Sequence, residues 1–284
     1  MKLAICCYVD NKPAIIEEFR WLYTSWVYSG RSGTILAFAH PGVLKAVTLP
    51  GVRVIETDPL TERDPIWAEY PFINSIGYLS RAPASTFNGF THILRTDCDC
   101  FLTPNFPRQA PRLPLFGRGQ YVQTREVAVK IAEMAERLSL SYSWCHNIGS
   151  TILAQAQAVR HFDGQQYEVA RFLHLEGFPD GRGAWPGWWW GVLTMYAGEI
   201  VANAMWGMGV CVGGLDCMSL SGDPIGALDY HVHAWTSAQD FSKNNFRAGH
   251  YDLISLASLR PDSVRNYCLM IAKMAAQGGP DEKR

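Results

Sequence analysis

Short apolar runs alternate with amphipathic stretches along the first hundred residues. Residues 3–9 and 34–39 are almost continuously apolar, which is typical of strands buried on both faces of a sheet. Between them, residues 12–28 carry apolar side chains at helical spacing, with Glu17 and Glu18 on the opposite side. These strand–helix–strand units predict an α/β fold with a mostly parallel central sheet flanked by helices. Further strands are predicted at 52–56 and 90–96, and further helices at 43–48 and 65–80.

The pattern is less regular after residue 100. Residues 104–119 are rich in proline, arginine and glycine and predict a loop. This loop divides a single integrated domain into halves at 1–110 and 111–250, followed by a C-terminal helix and polar tail at 251–284. Helices are predicted at 126–138, 191–205 and 264–277, and a strand at 229–235. Residues 147–159 are predicted to begin as a strand or turn and to continue as a helix. A tryptophan-rich loop is predicted at 179–190 and a disordered tail at 278–284.

Composition excludes several classes of function. The net charge is −1, so we expect no nucleic-acid partner. No run approaches the roughly 20 apolar residues of a membrane span, and the apolar part of residues 1–10 is too short for a signal peptide. The eight cysteines form no C-x-x-C pair and lie mostly in apolar strings, which favours reduced thiols and a cytoplasmic location, although a zinc site stays open.

Two acids, Asp97 and Asp99, directly follow the strand predicted at 90–96. Ligands of open α/β sheets bind beyond the carboxyl ends of the strands, where Asp10 is also expected. Carboxylates this close repel each other, and a divalent cation with oxygen ligands relieves the repulsion. Two solvated acids at a strand end are the simpler alternative, and Asp-x-Asp alone does not decide between them.

A second group of candidate residues lies near the other end of the chain. In an extended segment His231 and His233 point to the same side, and either could ligate a metal through a neutral imidazole nitrogen. Lys243 follows closely enough to contact a diphosphate. Half-buried structural histidines and a separate transition-metal site are the alternatives.

In the order of these motifs the chain resembles the GT-A fold glycosyltransferases, and among them the glycogenin-like retaining group. The family's Asp-x-Asp is matched by Asp97 and Asp99, and its upstream basic residue is matched by Arg81. Its central Asn-x-Gly is matched at residues 147–149. Its metal-binding His and phosphate-binding Lys are matched by His231 or His233 and by Lys243.

The resemblance implies a metal-dependent glycosyltransferase that transfers a hexose from a nucleotide sugar, with UDP as the expected nucleotide and with retention. Residues 1–110 would bind the nucleotide sugar and residues 111–250 the acceptor, which could be a glycan, a protein or a small molecule. Mn²⁺ or Mg²⁺ is the implied metal, and a mixed oxygen and nitrogen ligand set favours Mn²⁺ over Ca²⁺. The expected metal ligands are Asp97, Asp99, His231 and His233, and the expected nucleotide-sugar contacts are Tyr8, Val9, Asp10, Arg81, Asp97 and Lys243.

Three residues are candidates for the catalytic step. Glu199 is the only acid in its apolar segment and could stabilise an oxocarbenium-like species, or could be satisfied by a buried partner such as Arg171. Asp216 is a candidate of similar weight, and Asn147 could hydrogen-bond a sugar hydroxyl.

Alternatives to sugar transfer also stay open. A nucleotidyltransferase would need a glycine-rich basic loop after the first strand, which residues 10–13 do not provide. A non-catalytic carbohydrate-binding protein on the same fold would bind metal without turnover. Four indoles, those of Trp185, Trp188, Trp189 and Trp190, either stack on an acceptor sugar or pack between the halves.

Overall fold

A computed structural model describes residues 1–107, 109–218, 224–226, 229–234 and 241–278. The strands of these residues are β1 Leu3–Val9, β2 Thr34–Ala39, β3 Val52–Glu56, β4 His92–Arg95, β5 Cys100–Leu102, β6 Leu115–Arg118, β7 Ile148–Gln155, β8 Cys211–Leu215, β9 Cys217–Met218 and β10 His231–His233. The helices are α1 Pro13–Tyr28, α2 Leu44–Val47, α3 Leu60–Arg63, α4 Tyr78–Arg81, α5 Arg125–Arg137, α6 Ala156–Glu176, α7 Leu193–Trp206, α8 Lys243–Arg247 and α9 Val264–Ala276.

A seven-stranded sheet in the order β3–β2–β1–β4–β7–β6–β8 forms the centre of the fold. The pairs β1–β2, β1–β4, β2–β3 and β6–β8 are parallel, whereas β7 runs antiparallel to both of its neighbours. Every residue of β1 is buried, because this strand lies inside the sheet with apolar clusters on both faces. The predicted α/β class with a mostly parallel central sheet flanked by helices is confirmed.

A small second sheet, β5–β10–β9, brings the end of the chain back to its middle. Strand β10 pairs antiparallel with β5, so that His231 lies opposite Leu102 and His233 opposite Cys100. Since β5 begins one residue after Asp99, this pairing carries both histidines to the acidic pair. The contact between two motifs more than 130 residues apart is therefore set by strand register.

A buried ion pair holds β4 against α6 beneath this region. Arg95 lies 3.2 Å from Asp163 and donates to Gln166 at 2.6 Å and to the Ser150 carbonyl at 3.0 Å. Because Arg95 and Asp163 are almost completely buried, each needs the other to compensate its loss of solvation. The pair fixes β4, whose end leads into Asp97 two residues later.

Two of the predicted elements are wrong. The helix at 65–80 is instead two 3₁₀ turns, Pro65–Trp67 and Pro71–Ser75, followed by α4. Pro71 disfavours helical geometry at Tyr70, and Gly77 adopts a φ of 72°, which ends the turn before α4 begins. The loop at 104–119 contains β6, whose partners β7 and β8 come much later in the chain.

Other predictions stand in part. The segment at 147–159 is a strand that continues into α6, but α6 runs on to Glu176. Of the strand predicted at 229–235, residues 231–233 form β10, and Trp235 lies outside the described residues. The tail at 278–284 lies outside them too, apart from Gly278. Among the residues that the structure describes, no helix has both the length and the apolar character needed to cross a membrane.

Candidate functional site

A cleft of about 680 Å³ opens where β1 and β4 end. Its volume lies within the range of small-molecule sites. Tyr8 and Asp10 line it from the end of β1, and Asp97 and Asp99 from the end of β4. The later part of the chain contributes Asp216, His233 and Lys243. The cleft therefore joins the two groups of candidate residues that the sequence singles out.

The two acids of the Asp-x-Asp motif have different surroundings. Asp97 is half-buried and accepts a hydrogen bond of 2.8 Å from the Ser150 hydroxyl. Asp99 is only 8% exposed and lies between two basic groups, with His233 Nε2 3.2 Å away and Lys243 Nζ 2.5 Å away. Asp99 is thus the more strongly paired of the two carboxylates.

The pKa values of these two acids also shift in opposite directions. Burial and the negative charge of Asp99 raise the pKa of Asp97, against the opposing effect of His233. Burial alone would also raise the pKa of Asp99, but His233 and Lys243 outweigh it and hold this pKa well below its usual range. For Lys243, burial disfavours the charge, yet Asp99 and Glu18 raise its pKa. The site is a compact array of opposite charges that are partly shielded from water.

Glu18 is a cleft residue that the sequence analysis misplaced. The helical stripe put it on the exposed side of α1, but it is 3% exposed and lines the cleft. It accepts a hydrogen bond of 2.6 Å from Arg247, and Lys243 lies 3.6 Å away. Both basic partners belong to α8, so nothing in the local sequence of α1 signals this burial.

The two histidines of β10 have different roles in the structure. His231 is completely buried, with Nε2 2.7 Å from the Thr96 hydroxyl and Nδ1 accepting the Asp216 backbone N–H at 3.1 Å. Burial lowers the pKa of His231 to about 4, so the ring is neutral at pH 7. Both of its nitrogens are already engaged. His233 is partly exposed and lines the cleft, with Nε2 facing Asp99.

Asp216 lies behind His233 in a tightly built pocket. Its carboxylate accepts hydrogen bonds from the Thr151 hydroxyl at 2.5 Å and from the Thr151 backbone N–H at 3.1 Å, and it lies 3.6 Å from His233 Nδ1. A Cβ on Gly117 would lie 1.8 Å from the Asp216 carboxylate, and one on Gly149 would lie 2.5 Å from it. Both glycines are needed for this close approach.

The side chains at Asp99 fit a divalent cation. The distance of 3.2 Å between an Asp99 oxygen and His233 Nε2 is close to the ~3 Å that separates neighbouring ligands of an octahedral ion with bonds of about 2.1 Å. Cys100 lies within the same group of possible ligand atoms, but burial raises its pKa and keeps the thiol protonated. A second grouping, Cys100 with Asp216 and His231, is completely enclosed and has both imidazole nitrogens engaged.

Glu199 and Asn147 are not among the residues that line the cleft. Glu199 is completely buried and accepts hydrogen bonds from the hydroxyls of Tyr121 and Tyr142, the ring of His146 and the backbone N–H of Asn147, at 2.5–2.8 Å. Arg171, the suggested partner, is exposed. The Asn147 side chain pairs with the backbone of Val122. Glu199 therefore organises the loops beside the cleft.

Replacing Glu199 with glutamine should lower stability more than activity. The amide would present N–H groups to donors that now meet a carboxylate, at a cost of about 1–3 kcal/mol in the free energy of unfolding. Urea unfolding measures this loss, and the turnover of the remaining folded protein should stay within about threefold of the wild type, a barrier change below ~1 kcal/mol. A fully stable but inactive variant would instead assign Glu199 to the chemical step.

The predicted nucleotide contacts are distributed unevenly. Val9 is a core residue, whereas Tyr8 and Asp10 line the cleft. The hydroxyl of Tyr8 and both terminal nitrogens of Arg81 are buried without a hydrogen-bond partner among the described residues. Burial raises the pKa of Tyr8 and nearby Arg81 opposes this rise, while burial lowers the pKa of Arg81. Arg81 is not itself a cleft-lining residue, and its Nε donates to the Gly77 carbonyl at 2.8 Å.

The four tryptophans of the 179–190 loop divide into two pairs. Trp188 stacks on Tyr196 with ring centres 4.2 Å apart, and Trp190 meets the edge of Tyr70 at 4.5 Å. Trp185 and Trp189 line the cleft instead. One pair therefore packs within the protein, and the other pair faces the cleft.

Comparison with known protein families assigns the chain to one of them. The model described as "Domain of unknown function (DUF7164)" matches residues 54–277, which is most of the chain. The chain belongs to this family. A search of curated proteins finds no match. The matched region includes the acidic pair and β10 but begins after β1 and β2.

Proposed function

We propose that the protein is a metal-dependent glycosyltransferase that takes a hexose from a nucleotide sugar, with UDP as the expected nucleotide. The observation that carries this proposal is the convergence of Asp97, Asp99, His233 and Lys243 in one cleft at the carboxyl edge of the sheet. Retention of configuration rests on the family resemblance alone. The cytoplasmic location and the division at residue 110 stay predictions.

The reaction requires stabilisation of a leaving nucleoside diphosphate. Mn²⁺ or Mg²⁺, when bound, acts as a Lewis acid on the diphosphate oxygens. Asp99 and His233 would hold the ion, and Asp97 would contact either the ion or the ribose. Lys243 would provide a fixed positive charge where negative charge develops. Arg81, whose two terminal nitrogens have no hydrogen-bond partner among the described residues, would add a second positive charge near Tyr8.

Asp216 would act as a positioning residue for His233. Metal-binding imidazoles commonly donate their second N–H to a carboxylate, which fixes both the tautomer and the ring orientation. The Asp216 carboxylate faces His233 Nδ1, which leaves Nε2 directed at Asp99. Its own oxygens are held by Thr151. This arrangement favours a supporting role over the catalytic role that the sequence suggested.

The proposal is tested by measuring the hydrolysis and transfer activity of the purified chain with UDP-, GDP- and CMP-sugars. We expect turnover of one nucleotide sugar with Mn²⁺ and its loss with a chelator. Binding of the matching nucleoside diphosphate with Mn²⁺ but no turnover would favour a non-catalytic carbohydrate-binding protein. No binding and no turnover with any nucleotide would overturn the proposal.

Replacing Lys243 with methionine should change two affinities in opposite directions. Its ammonium neutralises Asp99 and lies close to Glu18, so its removal leaves a more negative site for a cation. We expect Mn²⁺ alone to bind about 5- to 10-fold more tightly and UDP with Mn²⁺ about 10-fold more weakly, each change being ~1 kcal/mol of charge interaction. Isothermal titration measures both. Exposed Lys45→Met is the control, and parallel losses of both affinities would contradict the assignment.

A further inference from the structure

The cleft is divided into a charged part and an uncharged part. The carboxylates and basic groups described above lie at the strand ends and on the segments that reach them. Two other segments, 71–76 and 185–195, also line the cleft and contribute no ionisable side chain to it. The lining residues of these segments are Pro71, Phe72, Asn74, Ser75, Ile76, Trp185, Trp189, Gly191, Val192, Thr194 and Met195. A ligand that fills the cleft therefore needs a charged end and a neutral end.

Trp185 and Trp189 form a corner in the uncharged part. Their ring centres are 6.2 Å apart and their planes are inclined at 76°, so that the two indoles are almost perpendicular. Trp185 is 48% exposed, which is unusual for so large an apolar side chain. The two indoles therefore form an edge-to-face pair in the lining of the cleft.

The orientation of the Trp189 indole depends on Gly191. A Cβ at Gly191 would lie 2.3 Å from the Trp189 ring, so the indole lies directly over this glycine. The Trp189 backbone N–H donates to the Tyr196 hydroxyl at 3.2 Å, and the Trp190 N–H donates to the Arg182 carbonyl at 2.8 Å. With Trp188 stacked on Tyr196, the backbone on both sides of the corner is anchored. The corner is therefore a built feature of the loop.

The indole N–H groups distinguish the two pairs of tryptophans. Those of Trp188 and Trp190 donate to the Gly177 carbonyl and to His174. Within the described ranges, no protein acceptor is found for the N–H groups of Trp185 and Trp189. Indole faces pack well against the C–H faces of a pyranose, and free N–H donors suit its hydroxyls. A hydrocarbon would pack against the indole faces but could not accept hydrogen bonds from the indole N–H groups.

We propose that the Trp185–Trp189 corner binds a neutral sugar ring of the acceptor, so that the acceptor class is a neutral oligosaccharide. The identification of this sugar as the acceptor rests on the proposed transferase function. The sugar subsite itself rests on the geometry of the Trp185–Trp189 corner. Stacking on an indole face adds to the burial of apolar area. Loss of both indoles should therefore weaken binding at least about 10-fold, which corresponds to ~1.4 kcal/mol.

The test uses an array of neutral oligosaccharides, followed by isothermal titration of any ligand found, without nucleotide or metal. Wild type is compared with the Trp185→Ala/Trp189→Ala double variant, and with Trp144→Ala as the control. Trp144 is 56% exposed and does not line the cleft, so its removal takes away a matched indole. We expect wild type and the control to bind the same sugar and the double variant to lose at least 10-fold in affinity. The single Trp185→Ala variant replaces the double variant if the latter does not fold.

Nucleotide binding separates this inference from the proposed function. UDP affinity in Mn²⁺ should be the same in wild type and the double variant. A parallel loss of UDP affinity would mean that the indoles stack on the base, and would overturn the inference, as would an array without a bound neutral sugar. Binding of a sugar that depends on both indoles, in a protein that binds no nucleotide, would support the sugar subsite and overturn the transferase.

Discussion

Replacing Asp99 with asparagine is expected to lower nucleotide-sugar turnover by about 10³-fold or more, because loss of the proposed metal ligand would remove several kcal/mol of transition-state stabilisation. The asparagine keeps the shape of the side chain but not its charge. It also leaves Lys243, 2.5 Å from the carboxylate, without its closest counter-charge. Turnover of the identified nucleotide sugar and Mn²⁺ affinity by titration should fall together.

A control acid distinguishes this effect from a general loss of negative charge. Glu133 on α5 pairs with Lys130 at the surface, away from the cleft, so Glu133→Gln should retain full activity. Circular dichroism should give the same folded spectrum for both variants. A folded Asp99→Asn protein that still binds Mn²⁺ and turns over the donor like the wild type would remove Asp99 from the metal site.

Alanine substitutions at His233 and His231 are expected to give different losses. His233→Ala removes a cleft-facing imidazole, so Mn²⁺ affinity should fall about 100-fold or more. This loss is larger than the loss usually caused by replacing a residue that only supports a metal ligand. His231→Ala should instead destabilise the fold by about 3 kcal/mol, because it leaves the Asp216 N–H buried without a partner and removes the Nε2 donor of the Thr96 hydroxyl. Titration with Mn²⁺ and urea unfolding of both variants separate the two roles.

The comparison of these two alanine variants also tests whether the His231 ring is neutral. Its Nδ1 accepts the Asp216 N–H, so Nε2 carries the proton that Thr96 receives, and no lone pair is left for a metal. If His231→Ala lost Mn²⁺ affinity while remaining as stable as the wild type, the assignment of the two histidines would be reversed. Asn266→Ala, a change in a surface hydrogen bond of α9, is a control that should alter neither property.

Much of the fold could be predicted because its central strands are locally recognisable. The runs at 3–9, 34–39 and 52–56 coincide with β1, β2 and β3. β1 and β2 are covered on both faces and almost entirely apolar, so neighbouring residues alone identify them, whereas the edge strand β3 is recognised by its β-branched residues. Strand β6 was not predicted, because the residues around it are rich in proline, glycine and arginine. Its pairing with β7 and β8 forms only in the folded chain.

The chemistry of the candidate site was less evenly predictable. Asp97 and Asp99 are neighbours in sequence, and the end of an apolar strand places them at the edge of the sheet. Glu199 looked catalytic because a lone acid in an apolar helix is conspicuous. Its four hydrogen-bond donors come from residues 52–78 positions earlier, which no local pattern reveals.

The amino-acid sequence by itself determined the α/β class, the central strands and the types of side chain available for binding a cation. The tertiary structure decided which of them meet: His233 but not His231 faces the cleft, Glu18 is buried, and Asp216 lies behind His233. The physical reason is the distance along the chain over which each property acts. Apolar periodicity is a property of adjacent residues, whereas burial, charge pairing and hydrogen bonding depend on segments that become neighbours only when the strands pair.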